Sequence, residues 1–147
     1  MIEYSLVPFH VIADYVMNNV GEHHAEADER DGYDPLDMDW EYYFDASHAG
    51  QCFVVVPTDN LKPVGYSVFF ISSNASHKNV IEAESAGFYV EKEYRGEPVA
   101  ALFEKSNELL KQIGVNRVNY AVKREGLGKL LERAGYQNEY KIWSIYL

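Results

Sequence analysis

Between residues 80 and 113 the chain carries a long strand pattern broken at Gly87, a short loop, and then the clearest helical pattern in the sequence. Val99, Leu102, Phe103, Leu109, Leu110 and Ile113 fall largely on one side of residues 98–113, and Gly114 is placed to stop that helix. Gly87 inside an otherwise continuous strand predicts a bulge. A strand that feeds a helix through so short a loop commits the region to a sheet with a covering helix.

The rest of the chain extends this pattern. Residues 2–7 alternate apolar and polar and read as a strand. Pro8 opens a helix on which Phe9, Ile12, Val16 and Val20 share a face. Residues 28–36, with Gly32 and Pro35 among acids, read as a loop. A second helix with an aromatic face begins at residues 39–44 and ends near Gly50. Strands follow at 52–57 and 64–72, joined by the turn-like Thr58-Asp59-Asn60. Beyond the central helix come a strand at 117–122, a helix at 126–134 stopped by Gly135, and a last strand or pair over 136–147. The order β-α-α-β-β-β-α-β-α-β predicts a mixed α/β sheet of six to seven strands, with about four helices on both faces. The 147 residues suffice for one domain with a real core, and no repeat, low-complexity segment or linker divides them.

Composition narrows the function classes. No apolar run approaches the roughly 20 residues of a membrane span, and the start Met1-Ile2-Glu3-Tyr4 lacks the features of a signal peptide, so a cytoplasmic protein with no membrane partner is expected. Cys52 is the only cysteine and sits in the apolar run Cys52-Phe53-Val54-Val55-Val56, as a small core residue would. The net charge of −10 is concentrated: ten acids between Glu22 and Asp45 face a single fixed base, Arg30. Such a field repels phosphate backbones, which disfavours nucleic acid as a partner, and attracts cationic amines. The same acids read equally well as the solvated surface of a loop and two helix ends. The 12 tyrosines fit strands and an aromatic core edge better than base stacking in so acidic a chain. Glu22-His23-His24 with Glu26 lacks a further histidine at metal-ligand spacing and reads as a polar helix end, so no metal is expected.

The stretch Phe88-Tyr89-Val90-Glu91-Lys92-Glu93-Tyr94-Arg95-Gly96-Glu97-Pro98-Val99-Ala100-Ala101-Leu102 is similar to the central motif of the GNAT superfamily of N-acetyltransferases. That motif is an apolar strand end, a short loop, and Arg/Gln-x-x-Gly-x-Gly/Ala opening a long helix. Backbone N–H groups and the helix dipole converge there on one point, which suits a pyrophosphate. Arg95, Gly96 and Ala100 match the pattern. The ending Leu130-Leu131-Glu132-Arg133-Ala134-Gly135-Tyr136 resembles the family's helix that closes on Gly-Phe or Gly-Tyr, so the resemblance spans essentially the whole chain. It implies a GNAT-like fold and acetyl-coenzyme A as co-substrate, with Phe88, Tyr89, Val90, Arg95, Gly96, Glu97, Val99 and Ala100 forming its site. An amine is the implied acceptor, and a homodimer is left open.

The resemblance also implies roles at specific positions. Some members carry a general base six residues before the apolar residue that ends the central strand, which here is Glu84; Glu82 and Glu84 read otherwise as solvent-facing strand acids. Amides near Phe88 and Tyr89, freed by a bulge, would polarise the thioester carbonyl. Pro98 stands where the family has its second loop glycine and removes one phosphate donor. Leu131 stands where many members place a tyrosine acid, leaving Tyr120, Tyr136 and Tyr140 as neighbouring hydroxyls. These departures support an alternative, a GNAT-fold protein without transfer chemistry acting as a binding or structural component, and the compact layout is similar to GNAT-like proteins of tailed bacteriophages.

Overall fold

The computed structural model of the protein describes residues 1–27, 37–122, 125–139, 143–145 and 147, with backbone alone for 24–27 and 125. The loop expected over 28–36 lies outside the described residues. Strand β1 (Ile2–Pro8) runs into helix α1 (Phe9–Ala27), and α2 (Trp40–His48) follows. Three strands come next, β2 (Cys52–Asp59), β3 (Lys62–Pro63) and β4 (Gly65–Ser73). Strand β5 (Ile81–Val90) leads to α3 (Glu97–Gln112), and β6 (Arg117–Asn119) and α4 (Glu125–Arg133) complete the described elements. The sheet order is β1-β2-β4-β5-β6, with β3 paired to β2. All pairs are antiparallel except β5 with β6.

Side chains alternate across this sheet and build two cores. Cys52, Val54 and Val56 of β2, Tyr66 and Val68 of β4 and Tyr89 of β5 pack with Phe9, Ala13 and Val16 of α1. Trp40, Tyr43 and Phe44 of α2 close over the same face, their rings 5.3–6.0 Å from the fully buried Phe9. On the opposite face Val55, Phe69, Ala83 and Val90 pack with Leu102 and Leu110 of α3. Helices thus cover both faces, as the period-two pattern of the central strands requires. Burial pushes the Cys52 thiol up to about 12, in keeping with a core residue.

Two details differ from the sequence expectation. The turn after β2 is not Thr58-Asp59-Asn60 but the pair Asn60-Leu61, because Asp59 pairs with Lys62 and β3 continues the hairpin. Asn60 and Leu61 both take positive φ, 48° and 67°, the geometry of a two-residue turn whose twist matches its strands. The last strand or pair expected over 136–147 falls partly outside the described residues, and six strands are seen among those described.

Leu61 is 89% exposed and holds a conformation that costs a side-chain-bearing residue about 1–2 kcal/mol. Leu61→Gly is therefore expected to raise unfolding stability by about 1 kcal/mol, after allowance for the greater freedom of glycine in the unfolded chain. Urea denaturation checks this; a lower midpoint would show that Leu61 makes compensating contacts.

Candidate functional site

The sheet opens where β5 acquires an extra residue. Val68 of β4 pairs with Gly87, whereas Phe69 pairs with Ser85, so Ala86 has no partner and forms the bulge predicted at Gly87. Gly87 takes φ +135°, a value that side-chain-bearing residues rarely adopt. The partner on the other side stops just before: β6 pairs only with Glu82, Ala83 and Glu84. From Ser85 to Val90, β5 has β4 on one edge and no described strand on the other.

Strand alternation decides which polar groups face that opening. Glu91 donates its amide to Val64, so its polar edge and that of Tyr89 turn toward β4. Those of Phe88 and Val90 turn away, into the opening. The Val90 carbonyl is already engaged, accepting from Arg95 Nε at 2.9 Å. Of the two amides expected to polarise a carbonyl, Phe88 thus has the suitable direction, and Tyr89 contributes its ring to the α1 face instead.

The loop after β5 is a tight turn through Lys92–Tyr94, held by Tyr94 N–H to Glu91 O at 2.9 Å and by Tyr94 Oη to Asp59 Oδ2 at 3.0 Å. It brings Gly96 to the N-cap of α3 with φ +113° and open space where a Cβ would stand. Glu97 and Pro98 occupy the first two helical positions. A helix leaves its first amides without intrahelical partners. Here Pro98 has none to offer and Val99 donates to Gly96 O at 3.1 Å, which leaves Gly96 and Glu97 as the available donors. The Arg95 guanidinium lies over the Tyr89 ring, 5.8 Å from its centroid, and supplies positive charge beside them. Glu91, Glu93 and Glu97 surround the same loop, so a polyanion meets a smaller net attraction than a loop with only Arg95 and Lys92 would give.

Helix α1 covers the opening from the opposite face of the sheet to α3. His23, in its last turns, is more than the polar helix end read from the sequence. Its Nδ1 is 2.9 Å from Tyr66 Oη, and its ring packs against Tyr66 and Tyr89 at 5.8 and 6.0 Å. A Cβ placed on Gly87 would stand 3.0 Å from His23 Cε1. Nearby, Tyr15 Oη donates to Glu91 Oε1 at 3.0 Å, and burial first, then Glu91, raises the Tyr15 pKa. No spacing rule in the sequence marks His23; its one signal is its place on a helix aimed at an apolar strand.

The other candidate residues are spread over β5, α4 and the segments that flank α4. Glu84 is exposed on the last β5 position paired with β6, and its Oε1 accepts from Asn119 Nδ2 at 2.7 Å. Glu82 accepts from Asn74 and lies 3.7 Å from Arg117. Leu131 is 6% exposed and packs as core. Tyr120 is enclosed by Phe69, Phe103 and Tyr136, with its hydroxyl buried among Ser67 and Ser106; the three hydroxyls are near one another without meeting at good hydrogen-bond geometry. Burial raises the Tyr120 pKa, as it does that of Tyr136, whose hydroxyl donates to Asn107. Tyr140 lies outside the described residues. Among the described residues, no three His, Cys, Asp or Glu side chains converge as metal ligands would, and no helix is long and apolar enough to cross a membrane. A cavity of about 650 Å³ at the far end of α3, lined in part by Lys111, Val115 and Tyr136, contains none of the central-motif residues between Phe88 and Leu102.

No protein-family model and no curated protein matches the chain. Solved structures match it over nearly its full length. An aminoglycoside acetyltransferase from an uncultured soil metagenomic sample, in complex with sisomicin, superposes with a TM-score of 0.72 at 11% identity, covering 99% of this chain and 95% of its own. Ribosomal-protein-alanine N-acetyltransferase from Brucella melitensis biovar Abortus 2308 gives 0.72 at 15% identity, covering 100% and 99%. A predicted acetyltransferase from Clostridium acetobutylicum, solved with acetyl-CoA, gives 0.72 at 14% identity, covering 99% and 96%. Identities this low establish likeness of fold. The chain therefore has the acetyltransferase fold that its resemblance to the GNAT superfamily implies.

Proposed function

We propose that residues 1–147 act as one domain that transfers an acetyl group from acetyl-coenzyme A to a primary amine. One observation carries the reading: β5 parts from β6 at the bulge and then runs into the open N-terminus of α3. The residues present fit the coenzyme. Phe88 and Val90 offer backbone groups along the opening, Tyr89 and Arg95 flank it, and Gly96 and Glu97 offer amides to phosphate, with Val99 and Ala100 completing the helix turn behind them. The bound coenzyme supplies an activated thioester. The chain's own part is to hold it, to direct the Phe88 amide at the carbonyl, and to take protons from the amine. Glu84, at the edge of the opening, is proposed to take the proton that an amine carries at neutral pH.

A cationic acceptor is favoured by the ten acids between Glu22 and Asp45, and an aminoglycoside acetyltransferase of similar fold is in complex with sisomicin. Asp39 is partly committed to structure, accepting from Tyr42 N–H as the cap of α2, while Glu22, Asp37, Glu41 and Asp45 are exposed. The side chains of Glu26, Asp28, Glu29, Asp31 and Asp34 lie outside the described residues. A second reading, a binding or structural component without transfer chemistry, is favoured by Pro98 at the second position of α3 and by the buried Leu131.

Titration calorimetry with acetyl-coenzyme A separates the two. Binding is expected, and Arg95→Ala should weaken it at least tenfold, because a charge-assisted bond contributes about 1.5–3 kcal/mol. Pro98→Gly should restore a donor and tighten binding about tenfold on the same basis. No binding at millimolar coenzyme would end the transferase reading.

Glu84→Gln is expected to lower turnover at pH 7 on the order of 100-fold and leave coenzyme affinity within about twofold. The deficit should shrink at high pH, where the free amine is abundant. Full activity at pH 7 would assign Glu84 to its bond with Asn119 alone.

Acceptor recognition is tested by neutralising Asp28, Glu29 and Asp31 together. The acceptor KM should rise and lose its dependence on salt, which screens over about 8 Å at physiological ionic strength. An unchanged KM would make the acids a solvated surface.

A further inference from the structure

The face of the sheet that carries α2 ends in a row of side chains that packing does not use up. Phe70 of β4 packs with the core beneath α1 and α2, and Glu84 of β5 stands directly opposite it in the antiparallel ladder. Residues directly opposite share a face, with Cβ atoms about 4.5–5.5 Å apart. Asn119 of β6, bonded to Glu84 through Nδ2 at 2.7 Å, continues the row on the same face. Tyr42 of α2 begins it: its ring lies 5.3 Å from that of Phe70, and 59% of the residue is exposed. Two aromatic rings, a carboxylate and a side-chain amide therefore follow one another across α2, β4, β5 and β6. The two β5 acids differ in charge balance. Glu82 lies 3.7 Å from Arg117 and accepts from Asn74. Glu84 is exposed, and its bond is to the uncharged Asn119. Glu84 Oε2 and Asn119 Oδ1 make no further hydrogen bond among the described residues, which leaves two acceptor oxygens and a negative charge with no cation beside it.

A primary ammonium fits what this row offers, since it brings one positive charge and three N–H donors. Charge alone retains it poorly: an ion pair in contact with water contributes at most about fivefold in affinity. The rings supply the rest by taking one side of an apolar group out of water. The spacing of about 5 Å between the Phe70 and Glu84 positions matches a short carbon chain between such a group and the nitrogen. We infer that this row seats the acceptor and selects a primary amine with an aromatic or other flat apolar group a short chain away from nitrogen. The inference rests on the transferase reading and deepens it by naming the acceptor class. Glu84 keeps its role of taking the proton. Asn119 orients that carboxylate and receives a second N–H of the substrate through Oδ1, and Tyr42 sets specificity. Ser85 is the first β5 residue beyond the pairing with β6, so the seated nitrogen stands at the threshold of the opening. The acids between Glu22 and Asp45 act on any cation over a distance. Contact with Tyr42 decides which amine stays.

Calorimetry with three small probes, titrated in the presence of excess coenzyme A, tests the seat without turnover. Phenethylamine carries both charge and ring, ethylamine lacks the ring, and phenethyl alcohol lacks the charge. Phenethylamine is expected to bind about fivefold more tightly than either of the others. Tyr42→Ala should weaken phenethylamine about fivefold and ethylamine by less than about twofold. Tyr42→Phe, which keeps the ring, should recover the affinity that Tyr42→Ala loses. Asn119→Ala should weaken both amines about threefold and spare phenethyl alcohol, which brings no ammonium to Oδ1. In turnover, Tyr42→Ala is expected to raise the phenethylamine KM about fivefold at nearly unchanged kcat, the mark of lost binding that ground and transition states share. Equal affinity for phenethylamine and ethylamine, or wild-type affinity for phenethylamine in Tyr42→Ala, would overturn the seat and leave the transferase reading standing. Selective amine binding by a protein that does not bind acetyl-coenzyme A would remove the transferase reading and support the seat as a binding site.

Discussion

Ala86 has no partner on β4, and this one unpaired residue governs the geometry around it. An extra residue in one strand increases local twist and bends the strand away from its neighbours. The bend falls immediately after the last pairing with β6, so the two parallel strands part at that level and not elsewhere. Parting leaves alternate backbone groups of β5 without ladder partners, a cost of order 1 kcal/mol or more per buried group unless something else bonds them. Arg95 satisfies one of these, the Val90 carbonyl. A ligand with its own amides is the natural partner for the rest.

The two faces of the sheet divide the work. On the α3 side, Val55, Phe69, Val90, Leu102 and Leu110 make a dry core that fixes the direction of the helix N-terminus. On the α1 side the packing is aromatic, with the rings of Tyr15, His23, Tyr66 and Tyr89 in one cluster and that of His23 against the bulge. The helix N-terminus and the histidine at the bulge therefore belong to different cores, which share β2, β4 and β5.

The readable parts of the sequence are those where period and punctuation agree. The apolar stripe from Val99 to Ile113 marks α3, and Gly87 marks the bulge, because each signal is local. Asn60-Leu61 is harder: leucine is not a residue that announces positive φ, so composition points to a turn earlier than the hairpin register puts it. His23 reads locally as a polar helix end, since nothing near it in sequence records that its partner is Tyr66, 43 residues away. The orientation of Phe88 against Tyr89 likewise depends on where Glu91 bonds across the sheet, a register fact that no single strand contains. Conversely, the motif's departures are legible because Pro98 and Leu131 are missing chemistry at fixed positions.

Cys52 illustrates what a fully enclosed side chain contributes beyond packing. It is the only thiol in the chain, it has no solvent exposure, and its ionisation is suppressed until about pH 12. Disulfide exchange and alkylation both proceed through the thiolate. The native protein is accordingly expected to be silent toward thiol-reactive dyes. Colour developing in protein alone instead reports chains whose sheet has opened, which makes the same reagent a counter of unfolded molecules.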